Sequence, residues 1–307
     1  MKPMSTLETR SSTRRGRDRL RGGGWLLAWL VVGALSGCAS LGDWQRQTIY
    51  RPSLLQDTAE WQRLLATRAD TSALTVNVGA AGEQVQVLQV AAEPGQVAPV
   101  RVFYLHGNYR HAWQNLGKAA PMLRAGLDVS LPDYRGWGAS SPRVPSEQSI
   151  HDDAWAAWQA LQAAAQREGR PLRWVVYGHS MGSAVAVHLA QRLRGQGAYC
   201  ALVLESAFTS FPDVAEAGVG WFGRQLTLLG GERMASIDRI GQVDPPVWLL
   251  HGHRDDTVPL ALGRRLFDAA PAPKQWRTWP LGHSDLQTDP TGAYDQTWRE
   301  IAAGCQP

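Results

Sequence analysis

The chain has 307 residues, 44% of them apolar, and its 31 glycines and 18 prolines fall well short of the share that marks low-complexity or disordered sequence. Seven of the 31 Lys and Arg and two of the 27 Asp and Glu lie in residues 1–37, so the tail carries +5 of the net charge of +4 and the rest of the chain −1. Nucleic-acid binding needs a clustered excess of Lys and Arg to displace phosphate counterions, so composition excludes that class and leaves a globular chain with a large core.

In chain order, the basic run from Arg10 to Arg21 is followed by the apolar stretch Trp25 to Leu35 and then by small residues. That order is the layout of a secretory signal, and an apolar core of about 11 residues is too short for a bilayer span, which needs about 20. Arg14-Arg15 lacks the apolar residues expected after a twin-arginine export signal. Leu35-Ser36-Gly37-Cys38 resembles the bacterial lipoprotein signal. The resemblance implies that residues 1–37 are removed and that Cys38 receives a diacylglycerol anchor. Because Ala39 and Ser40 are not aspartate, it further implies attachment to the outer membrane, facing the periplasm. The alternative is an uncleaved signal anchor with an incidental cysteine. Export to an oxidising compartment makes Cys200 and Cys305 candidates for a disulfide, the alternative being two free thiols.

No repeat or long linker follows Cys38. Residues 38–74 read as a tether with an N-terminal helical segment, and 75–304 as one domain. Val85–Val90, Val100–Leu105, Leu127–Leu131, Trp174–Tyr177, Ala201–Leu204 and Val247–Leu250 read as strands, several of them continuous apolar runs of the kind buried on both faces of a parallel sheet. Ser149–Arg167, Met181–Arg194 and Leu260–Ala270 carry helical periodicity. The alternation predicts a mostly parallel, doubly wound α/β sheet, with functional loops at the carboxyl ends of the strands. Residues 207–243 interrupt it with an apolar insertion, read either as a lid over the site or as a helix pair packed on the sheet.

Gly178-His179-Ser180-Met181-Gly182 joins a strand to a helix, the context that gives a G-x-S-x-G match its meaning. The turn is too tight for Cβ atoms on either side, and it presents the Ser180 hydroxyl as a nucleophile. Such a hydroxyl needs a base and a group to orient that base. Asp255 and Asp256 follow the Val247–Leu250 strand, and His283 follows the next one. Asp255 is preferred as the acid, since Asp256 reads as a charge that helps start the helix at Pro259. His106, His188 and His251 read as structural. The oxyanion of an acyl intermediate requires two backbone N–H donors, assigned to Met181 and to Asn108 in the loop after Leu105.

Leu105-His-Gly-Asn108, Asp133-Tyr-Arg-Gly-Trp-Gly138, Gly178-His-Ser-Met-Gly182, Glu205-Ser-Ala-Phe-Thr-Ser210, His251-Gly-His-Arg-Asp255-Asp-Thr-Val-Pro259 and Gly282-His283 stand in the order seen in the α/β-hydrolase superfamily. They most resemble the branch of the depalmitoylating α/β-hydrolase-domain proteins and their bacterial relatives. The resemblance covers about residues 80–300. It implies the α/β-hydrolase fold with a small helical lid and assigns the triad acid to Asp255. Tyr109-Arg110-His111 stand where relatives carry smaller residues, which implies a narrower or more polar acyl pocket. The candidate substrate contacts are Tyr109, His179, Phe208, Trp221 and Phe222.

The expected activity is hydrolysis of acyl esters or thioesters through an acyl-enzyme on Ser180, with a small-molecule ester as substrate and the membrane as partner through Cys38. No cofactor is required, and no His, Cys or Asp cluster has metal-ligand spacing. The alternatives are a peptidase of the same fold and a non-catalytic envelope binding protein.

Overall fold

The computed structural model describes residues 42–79, 82–93, 98–108, 110–169 and 172–306. The chain divides after Gln45, and the second unit, Arg46–Pro307, carries everything discussed below. Cys38 and Tyr109 lie outside the described residues.

A helix, α1 (residues 42–50), precedes α2 (Thr58–Ala66), whose N-terminus is capped by the Asp57 carboxylate on the Glu60 N–H. An eight-stranded sheet follows: β1 (Thr71–Val78), β2 (Glu83–Val90), β3 (Val100–Leu105), β4 (Asp128–Asp133), β5 (Arg173–His179), β6 (Ala201–Glu205), β7 (Val247–Gly252) and β8 (Lys274–Trp279). Its order is β1-β2-β4-β3-β5-β6-β7-β8, with β1 and β2 antiparallel and every pair from β4 onward parallel. Helices α3 (Leu116–Arg124), α4 (Glu147–Arg167), α5 (Met181–Arg192), α6 (Phe211–Gly230), α7 (Leu260–Ala269) and α8 (Ala293–Gly304) complete it.

The central strands feed two cores, because successive side chains point to opposite faces. In β3, Phe103 and Leu105 join one core with α4, α5 and α7, whereas Val102 and Tyr104 join the other with α2, α3 and α8. Several of the 14 tryptophans find their reason here: Trp158 and Trp174 pack edge-on or tilted around Phe103, and Trp298 packs on Tyr177. Each such fully buried large apolar side chain contributes about 1.5–3 kcal/mol.

The mostly parallel sheet matches the sequence expectation; its edges and boundaries differ. β1 was not anticipated, since its outer face is exposed and its residues are half polar. The expected domain start at 75 falls inside β1, and the stretch read as a tether contributes Tyr50 and Trp61 to the two cores. Helix α4 starts two residues earlier than expected because Ser146 and Ser149 form a reciprocal capping box. Cys200 and Cys305 are joined as a disulfide, with their Cα atoms 5.4 Å apart, tying the start of β6 to the end of α8.

Candidate active site

The parallel strands end on one edge of the sheet, and the turn after β5 holds Ser180 there in a strained backbone conformation, φ 54° and ψ −123°. Holding a non-glycine residue at such angles costs about 1–3 kcal/mol, and the surrounding glycines make it tolerable. A Cβ on Gly178 would overlap the Gly182 carbonyl, and one on Gly182 would overlap the Leu105 carbonyl. The turn is pinned by Ser180 N–H donating to the Glu205 carbonyl (2.9 Å) and by the Ser183 hydroxyl donating to the Ser180 carbonyl (2.6 Å).

The three residues selected by order in the chain converge. The Ser180 hydroxyl lies 3.0 Å from His283 Nε2, and His283 Nδ1 lies 2.8 and 3.0 Å from the two Asp255 carboxylate oxygens. The loops bearing His283 and Asp255 are laced together by the His253 and Arg254 N–H groups, which donate to the Trp279 and Leu281 carbonyls at 2.7 and 2.9 Å. The His283 carbonyl is held from below by the Ser206 hydroxyl at 3.1 Å and by His179 Nε2 at 3.0 Å. Asp256 takes no part in this constellation; its carboxylate accepts from the Thr257 hydroxyl next to it.

Asp255 is buried, which works to raise its pKa, but hydrogen bonds from His251 and His283 and the backbone N–H of Val258 outweigh burial and hold it well below the usual carboxylate range. The Thr257 and Val258 N–H groups both donate to Oδ1, at 3.0 and 2.7 Å, and His251 Nε2 lies 3.3 Å from Oδ2. His179 is buried, and burial together with the nearby Lys118 charge keeps its pKa well below that of a free imidazole, so it is neutral.

A cavity of about 630 Å³ opens at Ser180. Its lining includes Thr48, Ile49, Arg51, Asn108, Arg110 and Lys118 around His179, Ser180 and His283, with Ile49 the one aliphatic side chain among the described lining residues. The Gly107 backbone lies so close that a Cβ there would stand 3.3 Å from Ser180 Cβ, which brings the 107–108 loop against the nucleophile turn. Asn108 donates its side-chain amide to the Ile49 carbonyl at 2.8 Å. The Met181 N–H opens α5, where a helix has no partner of its own to offer. His179 lines the cavity as expected. Phe208 does not: it is buried in the core and stacked on Phe211. Trp221 and Phe222 do not either, since they lie on the surface at 68% and 73% exposure. Among the described residues, none from 207–243 lines the cavity, so the insertion does not act as its lid in this conformation.

Ser206, Lys118 and Glu205 escaped sequence reasoning as supporting residues, whereas His251 was read as structural. His251 lies against the Asp255 carboxylate and Ser206 holds the His283 carbonyl, as above. Lys118, buried in the first turn of α3, donates to the buried Glu205 carboxylate at 2.6 Å, which also accepts from the Tyr177 and Tyr294 hydroxyls. A lone lysine within a helical pattern carries no signal of this role. Among the described residues, no group of three or more His, Cys, Asp or Glu side chains is arranged to hold a metal ion.

Solved structures share this architecture. An esterase from Pyrococcus furiosus matches with a TM-score of 0.64 at 16% identity, covering 83% of this chain and 98% of that one. An alpha-beta hydrolase from Vibrio vulnificus matches at 0.66 and 18%, covering 86% and 93%. The chain has the α/β-hydrolase fold. On that fold, a family model described as "Serine aminopeptidase, S33" matches residues 98–236, the stretch that holds Ser180 but neither Asp255 nor His283. An uncharacterized protein of Mycobacterium tuberculosis is 42% identical over 185 residues, covering 60% of this chain and 63% of that protein. Lysophosphatidylserine lipase ABHD12 of Danio rerio is 33% identical over 183 residues, covering 55% and 47%. The chain thus spans less than two thirds of the length of these relatives.

Proposed function

We propose that this α/β-hydrolase-fold chain is a serine hydrolase of acyl esters and thioesters. The observation that carries the reading is the unbroken hydrogen-bonded line from the Ser180 hydroxyl through His283 to Asp255. In this reading Ser180 Oγ attacks the acyl carbonyl while His283 Nε2 accepts its proton, and Asp255 holds the proton on Nδ1 and stabilises the imidazolium. The Met181 and Asn108 N–H groups hold the oxyanion. His283 then returns its proton to the leaving alcohol or thiol, and water, activated by the same histidine, releases the acid and restores Ser180.

The cavity lining bears on the substrate. Arg51 lines it, as do Arg110 and Lys118, the last of these paired with the buried Glu205 carboxylate, and among the described residues no carboxylate is part of the lining. That balance supports an ester carrying a negative charge, in keeping with the printed name of the lysophosphatidylserine lipase relatives. The family description favours a second reading, a serine aminopeptidase. An aminopeptidase must receive a free ammonium group, and a lining that carries Arg51 and, among the described residues, no carboxylate disfavours that.

We also propose that the chain is an exported lipoprotein anchored at Cys38 on the periplasmic face of the outer membrane. The disulfide between Cys200 and Cys305 supports export, because such bonds persist in oxidising compartments. Cys38→Ser is expected to release the chain from the membrane fraction.

Treatment with a fluorophosphonate probe, followed by peptide mass mapping, is expected to place the label on Ser180 and to give none in Ser180→Ala. A folded chain that takes no label would overturn the hydrolase reading. Cleavage of aminoacyl-naphthylamides in preference to nitrophenyl and lysophospholipid esters would overturn the ester reading in favour of the peptidase.

A further inference from the structure

Helix α6 turns its apolar side outward. Among the described residues of the second unit, the large apolar side chains that are exposed are Leu54, Val219, Trp221, Phe222, Leu226 and Leu229, and five of these six fall within eleven residues of α6. Phe222, Leu226 and Leu229 recur at the four- and three-residue spacing of one helical face, whereas Gly223 and Thr227, the inner face, are buried. A kink at Gly220, φ 74° and ψ −169°, sets the Trp221–Gly230 half apart from the first half of the helix. A contiguous exposed apolar patch of this kind marks an interaction surface, not a tolerated accident. No helix among the described residues is long and apolar enough to cross a membrane, so the patch is suited to lying on a surface.

We propose that the second half of α6 docks in the interfacial layer of a lipid bilayer and holds the cavity mouth against it. Three observations select the bilayer as occupant. The first is composition: a tryptophan and a phenylalanine beside aliphatic residues is the set that interfacial helices bury at the headgroup boundary. The second is where the chain enters the domain. Tyr50, at the end of α1, packs on Phe211 at the start of α6 with ring centroids 5.9 Å apart, and its hydroxyl donates to Glu232 just past the end of α6. The neighbouring Thr48, Ile49 and Arg51 line the cavity. Only seven residues separate Cys38 from Arg46, a span of at most about 28 Å even when fully extended. A membrane-held N-terminus therefore delivers the chain onto the face that carries both α6 and the cavity. The third is charge: Arg51 and Arg233 are exposed beside the Tyr50–Glu232 junction, placed to meet anionic headgroups. The second of these rests on the reading of residues 1–38 as a membrane signal; the first and third do not.

The test uses the full chain with phosphatidylethanolamine and phosphatidylglycerol vesicles. A polarity-sensitive fluorophore is attached at Phe222→Cys or, as control, at Gln196→Cys in the exposed loop between α5 and β6 at the opposite edge of the sheet. Labelling is done without reductant, and the unsubstituted chain supplies the background from Cys38. The label at 222 is expected to shift to the blue on vesicle addition and to lose most of its intensity to doxyl-lipid quenchers, while the label at 196 does neither. Adding Leu226→Glu and Leu229→Glu is expected to abolish quenching at 222 and to leave hydrolysis of soluble nitrophenyl acetate unchanged. A chain that floats with vesicles but shows equal quenching at both positions would refute docking and leave the N-terminal anchor standing. Quenching at 222 without stable flotation would refute the anchor and uphold docking. A blue shift without lipid quenching, accompanied by self-association in sedimentation, would assign the face to a second copy of the chain and refute the bilayer.

Discussion

Replacing Asp255 by asparagine tests the proposed triad at its most constrained atom. The Asp255 carboxylate has donors on both oxygens: the Thr257 and Val258 N–H groups at Oδ1, and His283 Nδ1 and His251 Nε2 at Oδ2. An amide can match only one side. The backbone donors are fixed, so in Asp255→Asn the amide oxygen takes the Oδ1 position and the NH₂ faces His283 Nδ1. His283 must then accept on Nδ1 and carry its proton on Nε2, pointing at Ser180 Oγ, where it cannot act as a base. A wrong tautomer in an otherwise intact triad lowers kcat by about 10³–10⁴, or about 4–5.5 kcal/mol of transition-state stabilisation. The assay is nitrophenyl-ester turnover under saturating substrate, with circular dichroism and thermal unfolding to confirm that the variant folds. A folded Asp255→Asn enzyme within about tenfold of the parent would refute the argument, since a tenfold change is only about 1.4 kcal/mol.

Three further outcomes follow from packing and charge. Gly182→Ala drives a methyl group into the Leu105 carbonyl and is expected to cost about 2–4 kcal/mol in chemical denaturation, or to prevent soluble expression; an unchanged midpoint would contradict the turn geometry. Removing the Cys200–Cys305 bridge, which closes a separation of 105 residues, by a paired Cys→Ser change is expected to lower stability by about 2–4 kcal/mol, and reductant should lower the parent to the same value. His151, stacked on His188 at 3.8 Å, has its pKa lowered by burial to about 3. The unfolded chain therefore binds a proton that the folded chain refuses, so stability falls as pH drops below the unfolded value of about 6.5, by about 2 kcal/mol between pH 7 and pH 5. His151→Phe is expected to remove that part of the slope, as measured by urea unfolding at the two pH values. Asp133, raised to about 7 by burial, has the opposite sign and is untouched by the substitution.

What the sequence by itself determined was local steric and order-based. Gly178 and Gly182 around Ser180 specify a turn that no other residue type fits, and a strand before it and a helix after it leave one place for the hydroxyl. Continuous apolar runs such as Val100–Leu105 announce strands covered on both faces, which is why the parallel centre of the sheet could be read directly. The order Ser180, Asp255, His283 along those strand ends then singled out the residues that meet at 2.8–3.0 Å.

Tertiary structure decided what depends on which side of an element is covered. β1 carries the mixed pattern of an edge strand with one face in water and gives no continuous apolar run. Lys118, Ser206, Glu205 and His251 come together from α3, the end of β6 and β7, and nothing in their separate surroundings marks them as neighbours. The apolar insertion is the sharpest case. Phe208, Trp221 and Phe222 looked alike as apolar residues between two strands, yet Phe208 is sealed in the core and the other two face outward. Periodicity records that a helix has an apolar face but not what that face meets, because its direction is set by the packing of the rest of the chain.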